Sequence, residues 1–92
     1  MPRARTTQPV GREAAIFGAR LQELRKKRGL STQALADVAE MSPAFVSNME
    51  TGTKVPSLTT LVRLAAALRC KVVDLVRPLD EHDPATLIEK RK

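Results

Sequence analysis

Residues 31–50 read STQALADVAEMSPAFVSNME, and two helix starts lie inside that stretch. Ser31 and Ser42 each precede apolar residues at helical spacing, and a serine hydroxyl in that place accepts from an N–H of the first turn. Pro43 follows the second serine directly, at the first helical position, where its missing N–H costs nothing. One helix is expected over residues 32–39, with Leu35, Ala36 and Ala39 inward, and another over residues 43–50, with Val46 and Met49 inward. Only Glu40 and Met41 separate the first helix from Ser42. Helices joined this tightly cross at close range, so the residue at the crossing must be small. Ala36 meets that need, and Val46 and Met49 supply the apolar surface against it. The pattern is a helix-turn-helix, in which the start of the second helix projects from the body.

Upstream, Phe17, Leu21, Leu24 and Arg28 fall on one face of a helix expected over residues 12–28. Gly29 is its natural stop, and the basic residues of its last turn complement the helix dipole. Downstream, Thr51-Gly52-Thr53 closes the pair. Pro56-Ser57 then opens a fourth helix over residues 58–68, with Leu58, Leu61, Leu64, Ala65 and Leu68 as its apolar stripe. A short fifth helix is expected near residues 72–76, poorly capped by Lys71, with Pro78 and Pro84 breaking the chain beyond it. Asp83-Pro84 either caps one last turn carrying Leu87 and Ile88 or begins a loose tail. The expected organisation is a mobile basic arm over residues 1–11, an all-α domain of five helices over residues 12–77, and a tail over residues 78–92.

The bulk composition narrows the function. The 92 residues make one domain, 42% hydrophobic but only 2% aromatic, so Leu, Val, Ala and Met must build the core. The single cysteine, Cys70, excludes an intrachain disulfide and reads as a core filler; no Cys/His cluster suggests a metal. No apolar run approaches the ~20 residues of a membrane span, and no leader is evident, which points to the cytoplasm. One histidine, His82, and one cysteine give no base–nucleophile pair. No enzyme activity, metal, cofactor or small-molecule ligand is expected. The net charge is +6, and its distribution matters. Arg3, Arg5, Arg12, Arg20, Arg25, Lys26, Lys27 and Arg28 face only Glu13 and Glu23 in the first thirty residues, while the two signs balance over residues 31–76 and again over 77–92. The physical reading is a polyanionic partner.

Further matches appear in order along the chain: Phe17-Gly18, Arg20-Leu21, Leu24-Arg25, Gly29-Leu30-Ser31, Leu35-Ala36, Met41-Ser42-Pro43, Val46-Ser47, Met49-Glu50, Gly52, Pro56-Ser57, Leu61, Leu64-Ala65, Leu68, and Val72 to Val76. With these, the chain from Phe17 to Val76 resembles the Cro and lambda-repressor-like helix-turn-helix regulators, the XRE family. The resemblance implies a compact lambda-repressor-like DNA-binding domain with its helix-turn-helix at the second and third helices. It implies transcriptional regulation by a bacterial or phage-type protein that binds a palindromic operator in double-stranded DNA as a homodimer. Arg25 and Glu50 match a pair that bridges the first and third helices in that family, and Thr32 and Gln33 match residues that touch phosphate. The sequence departs from the family at Glu40 and Arg69, where glycine is common.

On this reading the exposed face of the third helix reads bases with Ser42, Pro43, Ala44, Phe45, Ser47 and Asn48. None is basic, so the common arginine–guanine contact is absent and DNA shape must share the work. Phe45 either meets thymine methyls or packs across the turn. Thr53 and Lys54 are candidate phosphate contacts. Arg3 and Arg5 either reach DNA from the arm or merely solubilise it, and Lys26, Lys27 and Arg28 face either phosphate or solvent. Val73, Val76 and Leu79 either form the dimer contact or close the base of the domain. The uncharged third helix also suits a different use of the same fold, a module that binds a protein partner as an antitoxin or adaptor does.

Overall fold

The computed structural model describes residues 8–88. Six helices follow in order: α1 (Arg12–Lys27), α2 (Thr32–Ala39), α3 (Pro43–Glu50), α4 (Leu58–Leu68), α5 (Val72–Asp80) and α6 (Pro84–Ile88). No strand occurs among the described residues. Three helices start on serine caps. Ser31 Oγ accepts from Ala34 N–H at 3.0 Å, Ser42 Oγ from Phe45 N–H at 3.0 Å, and Ser57 Oγ from Thr60 N–H at 3.1 Å. Helices α2 and α4 both end on left-handed residues, Glu40 (φ 60°) and Arg69 (φ 57°). Each left-handed residue strains the backbone by about 1–2 kcal/mol. The bonds that close behind them, Met41 N–H to Ala36 O at 2.9 Å and Cys70 N–H to Ala65 O at 3.0 Å, satisfy the helix ends.

Leu21, Leu35, Ala36, Val46, Met49, Leu64, Leu68 and Leu75 are at most 1% exposed and form the core. Helix α1 lies against α3 and α5, while α2 lies against α3 and α4. The α1–α3 approach depends on Gly18, where a Cβ would stand 2.5 Å from the carbonyl oxygens of Met49 and Glu50. Two turns further, Arg25 Nε donates to Glu50 Oε2 at 2.6 Å and Nη2 to Oε1 at 3.0 Å, while Nη1 donates to Leu30 O at 2.8 Å. The two side chains are 11% and 6% exposed. Hydrogen bonding to Glu50 raises the Arg25 pKa above its ordinary value; burial opposes this and the carboxylate's charge reinforces it.

The structure corrects three expectations and decides a fourth. Helix α1 stops at Lys27, and the exposed Arg28 has partners within the protein as well as solvent. Its Nε donates to Leu68 O at 2.7 Å and its Nη2 to Arg69 O at 3.0 Å, capping the end of α4. The stripe of α4 is not buried along its length: Leu58 is 81% exposed, and burial begins with the half-buried Leu61. Helix α5 runs to Asp80, straight through Pro78, where a break was expected. Its start is held by Asp74 Oδ2, which accepts from Lys71 N–H at 2.9 Å. The Asp74 carbonyl, deprived by Pro78 of its helical partner, accepts from Arg20 Nε at 2.8 Å. Finally, of the two readings left open at Asp83-Pro84 the structure takes the first: among the described residues a sixth helix, α6, follows α5. The sixth is anchored by buried Leu87 and by Arg12 Nη1, which donates to Thr86 O at 2.7 Å.

Two substitutions test this packing by urea denaturation. Gly18→Ala is expected to cost about 1–3 kcal/mol, because the methyl meets rigid backbone rather than a yielding side chain. Glu50→Ala is expected to cost about 3–5 kcal/mol, because it leaves the Arg25 charge buried without its partner.

Candidate nucleic-acid interface

The α2–α3 pair turns on two residues. The left-handed Glu40 ends α2, and Met41 carries the chain to the Ser42 cap. Val46 and Met49 are sealed in the core, so the opposite face of α3 must point away from it. Ser42, Ala44 and Ser47 are exposed there. Pro43, Phe45 and Asn48 are half-buried, and Phe45 packs against the edge of the core. The Ser42 hydroxyl accepts the Phe45 N–H and keeps its own proton for an outside acceptor.

The N-terminus of α2 lies at the other end of the motif. Thr32 is half-buried and Gln33 exposed, with Gln33 Nε2 donating to Asp37 Oδ1 at 3.0 Å. The first N–H groups of a helix carry partial positive charge and suit an anion.

After α3 the chain folds onto a single acceptor. The Asn48 carbonyl is approached by Thr53 N–H at 2.9 Å, Lys54 N–H at 3.2 Å, Thr51 Oγ1 at 3.1 Å and Thr53 Oγ1 at 3.2 Å. The Thr53 hydroxyl is half-buried and engaged within its own turn, whereas Lys54 is exposed. The arm expected over residues 1–11 is docked at its inner end. Val10 N–H donates to Gly52 O at 2.8 Å, and a Cβ on Gly52, at φ 82°, would stand 2.9 Å from Pro9 Cβ. Arg3 and Arg5 lie outside the described residues.

The basic surplus is arranged differently from its sequence reading. Arg12, Arg20 and Arg28 all donate to main-chain carbonyls, and Arg25 to Glu50 and Leu30 O. Lys26, Lys27 and Lys54 are exposed. Cys70 is half-buried against the core, and burial pushes its thiol pKa up, with nearby Asp74 adding to the rise. A raised pKa disfavours the thiolate that redox chemistry needs.

On α5, Val76 and Leu79 are half-buried and Val73 is exposed. Val76 and Leu79 line a shallow apolar groove with Phe17, Val55, Pro56 and Leu61. Exposed Val55, Leu58 and Val62 extend the apolar surface along α4, an extension the stripe reading of α4 missed. The pair Leu58 and Val62, one turn apart, was the available signal.

The helix-turn-helix domain profile matches residues 16–79. An HTH-type transcriptional regulator of Deinococcus deserti, DdrOP3, is 37% identical over 67 residues, 73% of this chain and 52% of its own length. This chain thus spans about half of that relative. The uncharacterised HTH-type transcriptional regulator y4dJ of Sinorhizobium fredii is 33% identical over 66 residues, 72% of this chain and 86% of its own length. Among solved structures, the restriction-modification controller protein C.AhdI of Aeromonas hydrophila superposes with a TM-score of 0.68 at 35% identity, over 68% of this chain and 96% of the controller. The helix order, the α2–α3 crossing and these likenesses agree: the chain belongs to the XRE-like helix-turn-helix family of transcriptional regulators.

Proposed function

We propose that this chain is a sequence-specific transcriptional regulator that binds a palindromic or near-palindromic operator in double-stranded DNA as a homodimer, with α3 in the major groove. The observation that carries the reading is the division of α3 into a sealed face, Val46 and Met49, and an outward face led by Ser42, Ala44 and Ser47. Hydroxyls and an apolar methyl on that face suit base edges and thymine methyls, with Phe45 and Asn48 on its flank. Thr32, Gln33 and Lys54 flank it and suit phosphate. With no basic side chain on α3, discrimination rests on few direct contacts together with DNA shape. The arginines of α1 contribute long-range attraction rather than groove contacts. A guanidinium bonded to a neutral carbonyl keeps its charge, although part of its set of N–H donors is engaged.

The homodimer reading is supported by the apolar surface of Val73, Val76 and Leu79 and its continuation along α4. Likeness to a restriction-modification controller protein supports a regulatory role. Footprinting on the DNA upstream of its own gene tests the proposal. The expected result is two protected half-sites about one helical turn, ~34 Å, apart. Lys54→Gln is expected to lower the slope of log affinity against log salt by about 0.9, the signature of one lost phosphate contact. A chain that protects no DNA but retains a protein from solution would instead favour the interaction-module reading.

A further inference from the structure

Helix α5 is built around a proline that should break it. Within an α-helix the N–H of residue 78 would bond the carbonyl of Asp74; Pro78 has none, and its ring crowds that carbonyl outward. The Asp74 carbonyl meets Arg20 Nε at 2.8 Å, in a part-buried place. The Arg20 side chain is 18% exposed and is steadied from its other side by Glu23 Oε1, 3.2 Å from Nη1. Asp74 is bound at its carboxylate as well: Oδ2 accepts from Lys71 N–H at 2.9 Å and Oδ1 from Arg77 Nη2 at 2.8 Å. One residue thus starts the helix with its side chain, while its carbonyl is satisfied from α1.

The apolar residues of α5 lie on both sides of the proline. Val73 and Val76 precede it and Leu79 follows it, at spacings of three that keep them on one face only while the helix stays regular. A helix ended at Pro78 would remove Leu79 from that face and from the groove it lines with Phe17 and Leu61.

We propose that Arg20 is the positioning residue of the dimer face: it supplies the hydrogen-bond donor that Pro78 withholds, and so carries α5 past the proline with Val73, Val76 and Leu79 on one surface. This rests on the homodimer reading above. Arg20 touches neither DNA nor the second copy in this role; it acts through the α5 backbone.

The test uses four full-length chains: the parent, Arg20→Met, Pro78→Ala and the double variant. Methionine keeps the apolar stem of Arg20 and removes its donors. Pro78→Ala restores an N–H aimed at the Asp74 carbonyl. The readouts are the dimer dissociation constant from sedimentation equilibrium without DNA, and hydrogen exchange at the Leu79, Asp80 and Glu81 amides. Arg20→Met is expected to weaken dimerisation and speed exchange about tenfold, the effect of losing a bond from a charged donor. In the Pro78→Ala background the same change is expected to alter either readout by less than about threefold, because the carbonyl is already met. If Arg20→Met alone fails to fold, recovery of folding by Pro78→Ala supports the same conclusion. Equal losses in both backgrounds overturn the proposal, and so does exchange that responds while the dimer constant does not. A parent chain that stays monomeric even on DNA overturns the homodimer reading and the positioning role with it. Coupled exchange rates would then show that the helix repair itself had not failed.

Discussion

One guanidinium holds three segments together. Arg25 grips Glu50 at the end of α3 with two donors and the Leu30 carbonyl, in the turn to α2, with a third. A buried ion pair is a poor source of net stability, because desolvation offsets most of the attraction. Its planar, two-point geometry is a good source of orientation. Gly18 permits α1 to lie directly on the Met49 and Glu50 carbonyls, and Arg25 fixes α3 against it from behind. The outward face of α3 can then be chosen for what it reads, since little of the fold depends on it.

The same residue type works at a second level. Arg12, Arg20 and Arg28 each reach a carbonyl on a helix packed against or near α1. Carbonyls on three helices are met by side chains of α1 and of Arg28, which caps its end. The charge surplus of the first third of the chain is therefore a structural device as well as an electrostatic one. Its field still favours a polyanion, and of its cations within the described residues Lys26 and Lys27 remain exposed on the surface.

Much of this was legible in the sequence because the signals are local. Ser31, Ser42, Ser57 and Pro43 mark helix starts within a few residues of what they cap, and the bounds of α2, α3 and α4 follow from them. The end of α5 was not legible, because the donor that offsets Pro78 is 54 residues from the carbonyl it meets. The partner of Arg28 is 40 residues away, so its sequence context suggested only phosphate or solvent. Leu58 shared the helical period of buried residues, yet period says which face a residue is on and not how far along the helix the neighbours reach. The outward side chains of α3 could be named from the register of Val46 and Met49. The engagement of the Thr53 hydroxyl within its own turn could not, because it depends on the shape of a loop rather than on a repeat.

That loop has an oversupplied centre. A carbonyl oxygen offers two lone pairs, and four donors converge on that of Asn48. Either threonine hydroxyl can be lost without orphaning the acceptor, since the main-chain donors and the other hydroxyl remain. Positions 51 and 53 are in this sense redundant parts, able to change one at a time while the turn beneath Lys54 keeps its form. Redundancy of this kind lets a sequence drift at the edge of a binding surface while the surface stays in place.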